Sequence, residues 1–157
     1  MTGELIGHLR EDDGGVMAFG YSRLWLARTD AIPLAPNLPL DEQWHAGEFV
    51  AAYFDNLLPE GGVRDFAARA LHVSPGNVFA LLERFGGDTA GALALLPQGQ
   101  LPSPKPRYLP MTHEAVHKCF ASSRGIPINL AGGEARIALA GAQDKMAVFI
   151  APTGAMA

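Results

Sequence analysis

The stretch Gly47-Glu-Phe-Val-Ala-Ala-Tyr-Phe-Asp-Asn-Leu-Leu-Pro-Glu60 decides the fold class. Its apolar residues Phe49, Val50, Tyr53, Phe54, Leu57 and Leu58 recur at the three- and four-residue spacing of one helix face. Pro59 supplies no N–H and ends that helix. Two more helical stretches follow. Val63, Phe66, Ala67, Ala70 and Leu71 share a face in the first. In the second, Val78, Phe79, Leu81, Leu82 and Phe85 do so, with Ser74-Pro75 read as its start and Gly86-Gly87 as its C-terminal cap. Three short helices with tight connections predict a small helical cluster.

Upstream, the period changes from helical to alternating. Leu5–Arg10 and Val16–Tyr21 read as two short strands around the turn Asp12-Asp13-Gly14-Gly15, hence a hairpin. Ser22–Ala27 reads as a short helical turn built on Leu24, Trp25 and Leu26. Between Ile32 and Leu40 prolines recur too often for a helix, so this is an extended connection held on the core by its apolar residues.

Downstream, Ala90–Leu96 reads as a buried strand closed by Pro97. Residues 97–110 hold five prolines and read as a linker. Thr112–Ser122 is a helix with Thr112 as N-cap, and Gly125–Glu134 is irregular. The run Arg136-Ile-Ala-Leu-Ala-Gly-Ala-Gln-Asp-Lys145, with Met146–Ile150 after it, reads as strand, small-residue turn, strand. The fold class is therefore α+β, in three parts: a subdomain over 1–96, a linker over 97–110, and an incomplete second unit over 111–157.

Bulk composition limits the function. The chain has 157 residues, 48% apolar and 18% charged, enough for a real core. Its net charge of −4 and its scattered bases, such as Lys105, Arg107 and Lys118, lack the footprint of a nucleic-acid binder, so no direct nucleic-acid partner is expected. A single cysteine, Cys119, excludes a disulfide framework and points to a reducing cytoplasm. No apolar run approaches the ~20 residues of a membrane span, and the acidic start of the chain carries no signal pattern.

Three constellations bear chemistry. The turn at Ala140, Gly141 and Ala142, followed by Gln143, Asp144 and Lys145, has almost no side chain at its bend. Exposed N–H groups there suit an anion such as a phosphate, though a plain hairpin bend explains the same residues. The corner from Asp55 to Asp65 sets acids and Arg64 around a Pro-Glu-Gly-Gly turn, either a docking corner or an ordinary helix end. His113-Glu114-Ala115-Val116-His117 matches the zinc-protease spacing formally, but no third ligand is placed to complete it, so no metal site is expected.

These motifs together resemble a known family. Tyr53–Glu60, Val63-Arg-Asp65, Phe79–Asp88, Ala90-Gly-Ala92 and Leu95-Leu-Pro97 are similar to the N-terminal region of HipA-type serine/threonine kinases, toxins of bacterial toxin–antitoxin pairs. Arg136–Lys145 is similar to that family's Arg-Ile-Ser-Val-Ala-Gly-Ala-Gln-Glu-Lys. The resemblance runs from about Gly3 to Ile150.

The resemblance implies that Ala140–Lys145 contacts ATP phosphates and that residues 111–157 begin a kinase core. It implies ATP and Mg in the complete enzyme, a protein substrate, and a HipB-like antitoxin or the remaining kinase domain as partner. Two sequence departures stand out. Ala138 occupies the place of the family's autophosphorylated serine and has no hydroxyl to accept a phosphoryl group. By the same resemblance, the opening strand usual ahead of Gly3 is expected to be missing. The lysine, catalytic aspartate and metal-binding aspartate of such kinases are expected beyond Ala157, so this chain alone should bind ATP weakly or not at all and transfer no phosphate. The alternative is a stand-alone module that docks on a separately encoded kinase.

Overall fold

The architecture comes from a computed structural model, which describes residues 3–89, 92–102, 110, 112–115, 117, 150 and 152. The chain divides into two compact units, Met1–Asn56 and Leu57–Ala157.

The first unit is a three-stranded antiparallel sheet with two helices. Strands β1 (Gly7–Glu11) and β2 (Met17–Tyr21) form the expected hairpin, with Leu9 opposite Phe19 and Arg10 opposite Ala18. Its turn is tied by Asp12, whose Oδ1 accepts from the N–H groups of Gly14 and Val16, both at 2.9 Å. Gly15 completes the turn with φ 79°, a conformation that costs glycine little. A third strand, β3 (His45–Ala46), pairs with the far side of β2 and was not anticipated. Two residues between Trp44 and Gly47 are too few to carry an alternation.

The hairpin's hydrogen bonds flank His8 and Arg10: Ser22 N–H donates to Ile6 O at 2.8 Å, and Asp12 N–H to Val16 O at 3.2 Å. Alternation along an antiparallel ladder then turns the backbone groups of Gly7, Leu9 and Glu11 to the outer edge of the sheet.

Helix α1 (Arg23–Leu26) is the short turn expected after Ser22. Helix α2 (Glu48–Asp55) begins and ends inside the expected range. Gly47 precedes it at φ 113°, where a side chain would strain the backbone as β3 turns into the helix. The core consists of Met17, Ala18, Phe19 and Tyr21 from β2, Val50 and Phe54 from α2, and Leu38. Phe19 meets Tyr21 edge-on at 4.9 Å and Phe54 at 5.6 Å between ring centroids. Every residue of β2 is buried, so this central strand is covered on both faces. On one of them the Trp44 ring lies so close to Gly20 that a Cβ there would sit 3.0 Å from it. The Arg10 guanidinium stacks on the same ring at 3.9 Å.

The second unit contains helices α3 (Gly61–Leu71) and α4 (Val78–Phe85), with a 3₁₀ turn at Gly86–Asp88. Two readings are corrected here. Ser74-Pro75 does not start α4. Asn77 does, its side chain accepting from Ala80 N–H at 3.0 Å. Ser74 instead closes a local turn by accepting from Gly76 N–H at 3.2 Å. Residues 92–96 form no strand either, and none of them is buried. One backbone bond, Leu95 N–H to Gly86 O at 2.6 Å, and Thr89 Oγ1 donating to Leu93 O at 2.7 Å hold this stretch without a ladder. Leu81, Leu82 and Phe85 are buried as the helical pattern predicts. On α3 the buried residues are Ala67 and Ala68, whereas Phe66 is 42% exposed.

Thr112 caps a helical turn as expected, its Oγ1 accepting from Ala115 N–H at 3.1 Å. The remainder of the Thr112–Ser122 helix and the terminal strand–turn–strand lie outside the described residues, apart from His117 and Ile150.

Candidate interaction surface

The site residues expected from sequence, Ala140, Gly141, Ala142, Gln143, Asp144 and Lys145, all lie outside the described residues. The acidic corner does fall within them. Asp55 is the last residue of α2, Asn56 caps it, and Glu60 precedes α3 in an extended conformation. Arg64 donates from Nε to Pro75 O at 2.6 Å, which fastens α3 to the turn ahead of α4. No group of three or more His, Cys, Asp or Glu side chains among the described residues is placed to hold a metal.

The first unit carries a shallow hollow of about 230 Å³ lined by Glu4, Leu5, Leu24, Trp25 and Arg28. Ser22 builds it. The Ser22 hydroxyl donates to Leu5 O at 2.7 Å and accepts from Trp25 N–H at 3.1 Å, so one side chain caps α1 and pins it beside the entry to β1. Trp25 Nε1–H donates to Ile32 O at 3.3 Å and draws the following loop to the rim.

Arg28 closes the hollow with a planar fork. It pairs with Asp30 through two bonds of 2.8 and 2.7 Å and with Glu4 through one of 2.6 Å. Hydrogen bonding to the Arg28 guanidinium holds the Asp30 carboxyl below the ordinary carboxylate range, and hydrogen bonding to Asp30 pushes Arg28 further up. Leu5 and Leu24 in the lining stand 53% and 78% exposed, and Ile32, whose carbonyl accepts from Trp25, 67%. An apolar rim with its charges already paired suits contact with another molecule's apolar surface rather than bond-making chemistry. Sequence reading missed this feature because Leu5, Leu24 and Ile32 belong to three separate segments.

A second feature joins the Pro-rich loop to the sheet. Tyr21 Oη donates to Leu38 O at 2.7 Å and accepts from Leu34 N–H at 2.8 Å. Burial raises the Tyr21 phenol above its usual range. Nearby, His45 Nε2 lies 3.0 Å from Asp41 Oδ1, an oxygen that accepts from Gln43 N–H at 2.9 Å.

Comparison with known proteins bears on this architecture. Residues 1–96 match the model of the HipA N-terminal domain. A putative kinase, Y4mE, of Sinorhizobium fredii is 37% identical over 154 residues, covering 94% of this chain and 36% of that protein. The serine/threonine-protein kinase toxin HipA of Shewanella oneidensis is 34% identical, covering 92% of this chain and 33% of that one. A solved structure of the Shewanella oneidensis HipA, HipB and operator DNA complex superposes with a TM-score of 0.74 at 32% identity, covering 99% of this chain and 36% of the matched chain. An uncharacterized protein of Haemophilus influenzae is 29% identical over 100 residues, 64% of this chain and 90% of that protein. The chain thus spans about a third of the length of the two kinase relatives, and by its first 96 residues it belongs to the HipA N-terminal domain family.

Proposed function

We propose that this chain is the N-terminal part of a HipA-like toxin serine/threonine kinase. In the complete enzyme it supplies the ATP-phosphate loop and a surface for a HipB-like antitoxin. The observation that carries this reading is the likeness to Shewanella HipA over 99% of the chain, in a structure solved with HipB. Ala140–Lys145 is the phosphate loop in this reading: its small residues let backbone N–H groups approach the nucleotide, and Lys145 adds positive charge. ATP and Mg belong to the complete enzyme, whose substrate is a protein. The Leu5, Leu24, Trp25 and Ile32 rim is the candidate antitoxin contact.

By itself the chain is inactive, since phosphoryl transfer needs a positioned metal and base. Residues 1–96 form the subdomain, 97–110 the linker and 111–157 the start of the kinase core. The acidic net charge favours contact with DNA only through the antitoxin, and the single cysteine favours the cytoplasm. Calorimetry with ATP and Mg tests the nucleotide reading: weak or undetectable binding is expected from this chain. Transfer of label from radiolabelled ATP to the chain itself or to a protein substrate would refute its inactivity. A micromolar constant abolished by Gly141→Val would show that the loop suffices without its partner lobe.

The Haemophilus relative favours a second reading. The match takes in 90% of that protein, so that relative is little longer than the 100 residues it shares with this chain. In this reading the chain is a binding module that docks on a separately encoded HipA-like kinase. Tight binding to a HipA-like kinase lacking its own N-terminal domain would support it, and failure to bind would leave the first reading alone.

A further inference from the structure

The spacing His113-Glu114-Ala115-Val116-His117 has no part in the kinase reading. In the structure His113, Glu114, Ala115 and His117 are helical, and Thr112 fixes the start of the turn through its 3.1 Å bond from Ala115 N–H. Both histidines are exposed. Residues four apart on a helix share a face, with Cβ atoms about 5–6 Å apart. Imidazole nitrogen ligates late first-row metals at about 2.0–2.1 Å, so two imidazoles one turn apart span a single ion.

We propose that His113 and His117 form a two-imidazole clamp for a late first-row divalent cation, with water filling the remaining positions. A protease-type zinc centre is a different object, since it needs a third protein ligand, and the described residues offer no such set. Glu114 is the next residue in sequence, about 100° round the helix from His113. Nitrogen donors favour Cu²⁺ and Ni²⁺ over Zn²⁺ and disfavour Mg²⁺, which takes oxygen ligands. The clamp is therefore distinct from any Mg that accompanies ATP, and it does not rest on the kinase reading.

The test uses the tag-free 157-residue chain with Ni²⁺, Zn²⁺ and Mg²⁺ in separate calorimetric titrations. One Ni²⁺ per chain is expected, with weaker Zn²⁺ binding and no Mg²⁺ binding at this site. The second imidazole binds intramolecularly, so His113→Gln or His117→Gln should each lower Ni²⁺ affinity about tenfold or more. His72→Gln, which removes an exposed histidine elsewhere, should leave it unchanged. Imidazole proton signals of the unmodified chain provide a readout independent of any variant's folding. Substoichiometric Ni²⁺ should broaden His113 and His117 before His8 and His72. Absence of Ni²⁺ binding, unchanged affinity in either clamp variant, or earlier broadening of His8 or His72 would overturn the assignment.

Discussion

The Tyr21 hydroxyl donates to the Leu38 carbonyl at 2.7 Å across 17 residues of sequence, and the same oxygen accepts from Leu34 N–H at 2.8 Å. A proline-interrupted loop cannot build a ladder of its own, so a buried phenol on the central strand satisfies two of its backbone groups. Leu38, fully buried, is the side chain this anchoring brings into the core.

Tyr21→Phe should therefore be costly despite its near-identical shape. It leaves the Leu38 carbonyl and the Leu34 N–H without this partner, at about 1–3 kcal/mol for a buried unsatisfied group. Leu38→Ala should cost about 2–5 kcal/mol through the cavity it leaves. Urea unfolding measures both, and a Tyr21→Phe loss under about 0.5 kcal/mol would mean the loop is held by other contacts.

The same phenol gives an alkaline signature. Burial raises its pKa in the folded chain, so the unfolded chain ionises first as pH rises. Stability from this group is complete below the ordinary tyrosine range and declines as pH climbs through it. Tyr53 is shifted upward by burial in the same direction. Unfolding curves between pH about 8 and about 11 should show the decline, and Tyr21→Phe should flatten part of it.

Asp30 behaves oppositely. Its carboxyl is held down by Arg28, so its contribution is present at neutral pH and lost only as acid passes below the ordinary carboxylate range. Both partners are exposed, and the effect on stability should be small. The informative measurement is the Asp30 carboxyl titration by NMR, where Arg28→Ala should move the midpoint upward toward that of a free aspartate.

Gly86 and Gly62 form a contrasting pair. A Cβ at Gly86 would fall 2.6 Å from Leu95 Cβ and 2.7 Å from Leu95 O, so Gly86→Ala must displace backbone and should cost about 1–3 kcal/mol. At Gly62, in the first turn of α3, a Cβ meets nothing within 4 Å. Gly62→Ala should stabilise by about 0.4–1 kcal/mol through the unfolded chain. Equal melting temperatures for the two variants would contradict this reading of Gly86.

Where a periodic signal runs over a whole element, the sequence was legible. The stripe of α4 correctly marked Leu81, Leu82 and Phe85 as core, and the Asp12–Gly15 turn marked the hairpin. The stripe of α2 was half right: Val50 and Phe54 are buried while Phe49 is 38% exposed, because an apolar face can be wider than the surface it packs against. Reading Gly86-Gly87 as a C-cap identified the end of α4 but not its purpose. Gly86 caps with φ −63°, a conformation open to any residue, and glycine is required there by the approach of Leu95. Ser74-Pro75 misled because a start signal is local, and Asn77 made the competing cap three residues later.

Periodicity, turn chemistry and the ordered motifs settle what neighbours along the chain can settle: the α+β class, the hairpin, the three helices and the HipA resemblance that the family match bears out. The partners of Tyr21, Ser22 and Arg28, the two-residue strand β3 and the exposed rim around Trp25 come only with the folded chain. Each joins residues far apart in sequence through hydrogen bonds or close contacts. Such pairings depend on distance in space, and no local pattern of residue types encodes that distance.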